Sequence, residues 1–306
     1  MNMGEGKIVC NQRRNVLFFL CVLLLALWME GDLSAAQAAP KADDLIDVAF
    51  QMLEEGNPFV ARFEERSGRK INIQFAQGMP YYFGGKHSSM MYNRIPDYTL
   101  RTCEHASGYF EVGKLYFCGM DCSGYINYIN KFAHRSLIPT LEVMMTDWSH
   151  RQKNHLYDQQ EGREAPPWPE LKNVLHVGDY LLTLHQGGRY RHIMMYIGTM
   201  RDFGYTEGEE PELDSWLDYP LVIHCGLSPV YGERFQKLIE EKPEIYSRAT
   251  TTDGGVQISI VGVPGEQAPN HQHVQQTDYD YFIMKDHAYW LTVVNMDNLT
   301  SWCWYR

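Results

Sequence analysis

The 306-residue chain lacks several features that would assign it quickly. It has no Gly-rich phosphate loop, so no nucleotide cofactor is implied. It has no internal repeat, which excludes solenoids and propellers. No basic cluster is longer than Arg189-Tyr190-Arg191 and the net charge is -11, so the surface repels phosphate backbones and non-specific nucleic-acid binding is excluded. Glycine and proline together are scarce, 25 and 14 residues, which removes collagen-like and low-complexity readings. What remains is an ordinary globular composition: 44% hydrophobic, 13% aromatic and 21% charged, enough apolar surface to build a core.

The first forty residues read as an address. Lys7, Arg13 and Arg14 form a basic start, and Asn15 to Met29 is an apolar run of fifteen, shorter than the roughly 20 residues of a membrane span. Ala36-Gln37-Ala38 then supplies the small residues that signal peptidase reads, giving a signal peptide over 1–38 with cleavage after Ala38. The mature chain, 39–306, is therefore expected to be secreted, extracellular or wall-associated, with no membrane attachment after cleavage. It keeps Cys103, Cys118, Cys122, Cys225 and Cys303. Five is odd for an exported protein, so at least one thiol is unpaired or reserved for chemistry; the other four could make two bridges in three pairings, among which sequence alone does not choose, or stay unbonded.

Apolar spacing predicts a helix over Asp43–Glu55, a second from Pro58 to about Glu65, and a buried helix after Asp121-Cys122-Ser123-Gly124 with Tyr125, Ile126, Ile129 and Phe132 on one face. Residues 135–171 are polar and interrupted by prolines, and are expected to form a long excursion with a short helix near Leu141–Trp148. Strand patterns follow at Asp179–Leu184, His192–Ile197, Leu221–His224, Val256–Val263, Tyr281–Met284 and Trp290–Val294, with 201–220 read as a loop. Helices first and strands afterwards, without βαβ alternation, imply one α+β domain rather than a doubly wound one.

Three residues stand out chemically. Cys122 opens a predicted helix, where the dipole favours thiolate, although an isolated cysteine is more often a small buried apolar group. His192 and His224 lie in apolar strands, where imidazoles have little reason to be; adjacent antiparallel strands would set one ring as base and the other as its orienter. Taken singly, each histidine is better explained by capping a strand end and bonding to the backbone. His271-Gln272-His273 has no third ligand in reach and reads as a solvated loop, so no metal is expected. Asn298-Leu299-Thr300 fits a glycosylation tripeptide that is common by chance, and Tyr157–Glu164 reads as a solvated face.

Together these residues carry a resemblance. Gly78-Met79-Pro80-Tyr81-Tyr82-Phe83-Gly84-Gly85, Asp121-Cys122-Ser123-Gly124, Gly178-Asp179-Tyr180-Leu181, Arg191–Gly198 and Val222-Ile223-His224-Cys225 resemble, in order, five blocks of the NlpC/P60 cysteine peptidases. The matches run from about Ile46 to Gly226; beyond them only the general β character is similar. Phe83 stands where the family has Trp, Met194 where Gly is common, and the stretches near 135–172 and 199–220 are insertions relative to the compact family core. The resemblance implies a papain-like fold with N-terminal helices packed on an antiparallel sheet. It also implies Cys122 as nucleophile, His192 as base, His224 as its orienter, and Tyr81, Asp121 and Ser123 on the substrate side. Peptidoglycan stem peptides would be the substrate, cut at a bond between D-Glu and a diamino acid, without a cofactor. Two rivals stand beside this reading: amidase or acyl-transfer chemistry on another small amide or ester, and an inactive surface-binding protein that keeps the fold.

Overall fold

Ala42–Phe50 (α1) forms a helix because the Asp44 carboxylate accepts from Lys41 N–H at its start, while Leu45, Ile46, Ala49 and Phe50 bury one face. These details come from a computed structural model, which describes residues 41–86, 98–104, 110–138, 155–159, 162–185, 191–227, 229–251, 253–262, 279–284, 289–296 and 299–306. The segment 1–38 expected to be a signal peptide, the short helix expected near 141–148, His271–His273 and Asn298 lie outside them. Residues Pro40–Arg306 cluster as one unit.

The helix expected to reach Glu55 ends at Phe50. Beyond it the backbone finds partners in the strip 74–79 instead: Gln74 N–H donates to Gln51 O, Glu55 N–H to Ala76 O and Met79 N–H to Met52 O. Met52 and Leu53 stay buried, so the apolar pattern that suggested a continued helix serves a packed turn. Pro58–Ser67 (α2) starts with proline at its first position, with Asn57 Oδ1 accepting from Phe59 N–H at 3.0 Å, and stops at Gly68 in the left-handed region.

Leu100–Thr102 (β1), Leu115–Phe117 (β2) and Ala249–Thr250 (β7) make a small sheet in the order β1-β2-β7. Cys122–Phe132 (α3) is the buried helix. Tyr125, Ile126 and Ile129 point inward, but Phe132 at the last turn is 46% exposed and stacks loosely on Tyr128, so its assignment to the core is corrected.

The main sheet has eight strands: His155–Asp158 (β3), Tyr180–His185 (β4), Arg191–Gly198 (β5), Leu221–Leu227 (β6), Gly254–Gly262 (β8), Tyr279–Met284 (β9), Tyr289–Asn295 (β10) and Leu299–Tyr305 (β11). Their order is β3-β11-β4-β5-β6-β8-β10-β9. The sheet is not wholly antiparallel: β8 and β10 run parallel, with Ser259 opposite Thr292. The antiparallel strand β9, which pairs with β10, reverses the chain between them and makes the parallel pair possible. Pro229–Glu241 (α4) and Pro243–Tyr246 (α5) follow β6, a helical pair that strand periodicity in this half did not signal.

The two stretches expected to be insertions carry structure of their own. The 135–172 excursion contributes β3, which pairs as an edge strand with β11, and the turn Trp168–Asn173. The stretch read as a loop at 201–220 holds two short 3-10 turns, Met200–Phe203 and Pro211–Trp216, with Phe203 and Trp216 buried.

Strand alternation divides the core. Ile193, Met195, Ile223, Val256, Ile258, Leu291 and Val293 face the helices and join α1–α4 in the larger apolar cluster. Met194, Tyr196, Val222, Val261 and Val294 face the other way, with Trp302, Trp304, Leu171 and Leu175. Among the described residues, no helix is long and apolar enough to cross a membrane.

Candidate active site

The segment Gly78–Gly85 and the lead-in Gly119–Asp121 to α3 lie against each other. Met120 N–H donates to Pro80 O at 3.1 Å, Tyr82 N–H to Met120 O at 3.0 Å and Asp121 N–H to Gly85 O at 2.9 Å, while Tyr81 N–H reaches Gly254 O on β8 at 2.7 Å. A Cβ on Gly119 would meet the Pro80 carbonyl, one on Gly85 the Gly119 carbonyl, and one on Gly124 the Gly85 carbonyl. Three glycines thus let backbone pack on backbone, clamping the lead-in of α3 to the start of β8.

Cys122 is the first residue of α3 and is buried. Asp121 caps the helix, its Oδ1 accepting from Gly124 N–H at 2.6 Å and from the Ser123 hydroxyl at 2.9 Å. Lys86, which the sequence reading did not single out, donates to Asp121 Oδ2 at 2.5 Å and to Ser123 Oγ at 2.6 Å. Asp121 and Ser123 are therefore engaged within the protein by the cap and by Lys86. Tyr81 packs its ring against Phe110, with centroids 6.1 Å apart.

Burial and then the Asp121 carboxylate push the Cys122 thiol up to about 12; backbone N–H groups of Ile193 and Ser123 and the Lys86 ammonium oppose them. At neutral pH the resting sulfur is a thiol. The Ile193 bond places it against β5 one residue from His192. Cys225, also buried, donates its thiol to Met120 O at 3.1 Å just before the Asp121 cap.

β5 and β6 are antiparallel neighbours, and they bring the two strand histidines together. His192 Nε2 and His224 Nδ1 are 2.9 Å apart, with ring planes at 83°. His224 is fully buried, and burial pulls its pKa down to about 3, so it is neutral through the ordinary working range. Its other nitrogen, Nε2, lies 2.7 Å from Ser259 Oγ, which in turn contacts Thr292 Oγ1. Gly226 makes room for the pair: a Cβ there would sit 2.8 Å from His224 Nδ1 and 3.2 Å from His192 Cε1. Sequence reasoning missed Ser259, Thr292 and Gly226. No local pattern marks a hydroxyl on β8 or β10 as a partner of an imidazole on β6.

It also missed a second buried cluster. β3 and β11 place Asp158 directly opposite Cys303, and His155 Nδ1 lies 2.9 Å from Asp158 Oδ2. The donor atoms of His155, Asp158 and Cys303 all fall within 4.8 Å of one another, and among the described residues these are the side chains grouped closely enough to hold a metal ion. An imidazole, a carboxylate and a thiol suit a divalent transition metal by donor type.

The fold is thus α+β, with a buried thiol at a helix start, hydrogen-bonded by the Ile193 backbone of β5, and two imidazoles hydrogen-bonded to each other on β5 and β6. No family model, curated protein or solved structure matches the chain.

Proposed function

We propose that this chain is a secreted cysteine hydrolase of the papain-like, NlpC/P60 type that cleaves amide bonds in the stem peptides of peptidoglycan, between D-Glu and a diamino acid. The observation that carries the proposal is the convergence of Cys122, at the start of a buried helix, with strand β5, whose His192 is hydrogen-bonded to His224. The five sequence blocks that resemble that family supply the substrate class, and the same Cys-His-His set serves amidase and acyl-transfer chemistry.

The geometry supports the following course. Because the resting sulfur is a thiol, it must lose its proton as it attacks the carbonyl carbon, and His192 takes that proton. The Cys122 backbone N–H, at the helix start, donates to the developing oxyanion. The C–N bond breaks as the imidazolium of His192 returns the proton to the leaving amine, leaving a thioester on Cys122. Water, deprotonated by His192, then attacks the thioester and releases the acid and the thiol. His224 stays neutral and holds the His192 ring. Tyr81, Asp121 and Ser123 line the substrate side, where Lys86 competes for the same polar atoms.

The test is mass spectrometry of purified wall digests incubated with the mature chain from Ala39 and, in parallel, with its Cys122→Ala variant. New fragments with the first and none with the second are expected, and their masses name the bond. Fragments from both would refute Cys122 as the nucleophile; fragments from neither would remove the wall peptide as substrate.

A further inference from the structure

Behind the two imidazoles runs a row of hydroxyls. His224 Nε2 meets Ser259 Oγ at 2.7 Å, Ser259 Oγ meets Thr292 Oγ1, and Thr292 Oγ1 lies 3.3 Å from the carbonyl oxygen of Ile258. All three side chains are at most 1% exposed, so water does not compete for these bonds. The residues come from three neighbouring strands, β6, β8 and β10. Strand alternation puts them on the face that also carries Val222, Val261 and Val294.

A carbonyl oxygen can only accept. The Thr292 proton therefore points to Ile258 O, and Thr292 Oγ1 must accept from Ser259. With its proton spent on Thr292, Ser259 Oγ accepts from His224, which requires the proton of neutral His224 on Nε2. Its Nδ1 is then a lone pair and accepts from His192 Nε2–H at 2.9 Å. In neutral His192 the basic lone pair is consequently on Nδ1.

We infer that Ser259 and Thr292 are positioning residues that set the tautomers of His224 and His192 from the Ile258 carbonyl, so that the base always carries its lone pair on Nδ1. The hydroxyl row reverses if its terminal acceptor is lost. Without the Thr292 hydroxyl, the Ser259 proton turns to His224 Nε2, the His224 proton moves to Nδ1, and it then donates to His192 Nε2. That leaves the His192 proton on Nδ1, and the ring is no longer a base at that atom. His224 is neutral through this range, so what it contributes is direction rather than charge. The inference rests on the proposed role of His192 for its consequence, but not for its structural content.

The experiment separates the two. Nitrogen-15 correlation spectra of histidine-labelled protein report directly which ring nitrogen carries the proton. The native chain is expected to give His224 protonated on Nε2 and neutral His192 protonated on Nε2. Thr292→Val, which keeps the shape and removes the hydroxyl, is expected to move the His224 proton to Nδ1, whereas Thr292→Ser retains the native pattern. Turnover, where a substrate is in hand, should fall about 10- to 100-fold in Thr292→Val with little change in KM, and recover in Thr292→Ser. His224 protonated on Nδ1 in the native chain, or an unchanged tautomer in folded Thr292→Val, would overturn the inference. A chain that hydrolyses no wall peptide yet shows the tautomer change would refute the proposed substrate and leave the relay standing.

Discussion

Gly226→Ala tests the site geometry most directly. The added methyl would sit 2.8 Å from His224 Nδ1 and 3.2 Å from the Cε1 atoms of both His192 and His224, whereas ordinary contact begins near 3.4 Å. The closest contact is with His224 itself, so the His224 ring must shift against its bond to Ser259, carrying Nδ1 away from His192 Nε2. A displacement of about 0.6 Å would stretch the 2.9 Å His192–His224 bond to about 3.5 Å, past useful hydrogen-bond length. Misplacing a reacting group by this order costs about 100-fold in rate, and overpacking a tight interior costs about 1–3 kcal/mol of stability. The assay is the rate of Cys122 alkylation by iodoacetamide near neutral pH, read by peptide mapping, with urea denaturation for stability. Alkylation should slow by one to two orders of magnitude while the protein still folds. Gly232→Ala on α4 is the control, because its methyl meets only the Asp253 carboxylate, which can swing aside. A native alkylation rate in folded Gly226→Ala would refute the argument that His192 activates Cys122 from this position.

Three further outcomes are expected. Lys86→Met removes a cation that lowers the Cys122 pKa while leaving the Asp121 cap on Gly124 in place; alkylation should slow by up to about tenfold, less at high salt, and an equal or faster rate would contradict the assignment. Because the folded His224 pKa lies near 3 and the unfolded one near 6.5, the unfolded chain binds the extra proton between those values. Stability from this residue is thus complete above about pH 6.5 and falls on acidification by up to ~1.4 kcal/mol per pH unit, so His224→Asn should flatten that limb in urea titrations from neutral to mildly acid pH; an unchanged slope would show that His224 is not the titrating group. Arg306 holds the buried Asp179 carboxylate with two bonds, of 2.9 and 2.7 Å, and Arg306→Ala should destabilise the fold by about 1–2 kcal/mol, less than for a fully buried pair because Arg306 is 40% exposed; no change in denaturation midpoint would count against the clamp.

Local chemistry in the sequence determined much of this protein. Asn57, Pro58 and Gly68 bound α2 wherever it packs, and Asp121 before Cys122 starts α3 because its side chain serves the orphan N–H of Gly124. Short apolar runs bounded by glycine, proline and charges located β4, β5, β6, β8, β9 and β10 to within a few residues, and the two histidines were visible as polar residues in apolar strands. Tertiary structure decided what each local pattern left open. The apolar positions of 51–55 suit a helix or a packed turn equally, and pairing with 74–79 selected the turn. The aromatic Phe132 follows the helical period yet stays exposed at the last turn, where Ile129 one turn earlier is buried. Strand partners cannot be read from side-chain alternation, because pairing is non-local. Only the order β6-β8-β10 brings Ser259 and Thr292 behind His224, and only the pairing of β3 with β11 joins His155 and Asp158 to Cys303. The cysteine and the two histidines were marked by their neighbours in sequence; that the imidazoles meet each other and a buried hydroxyl was decided by neighbours in space.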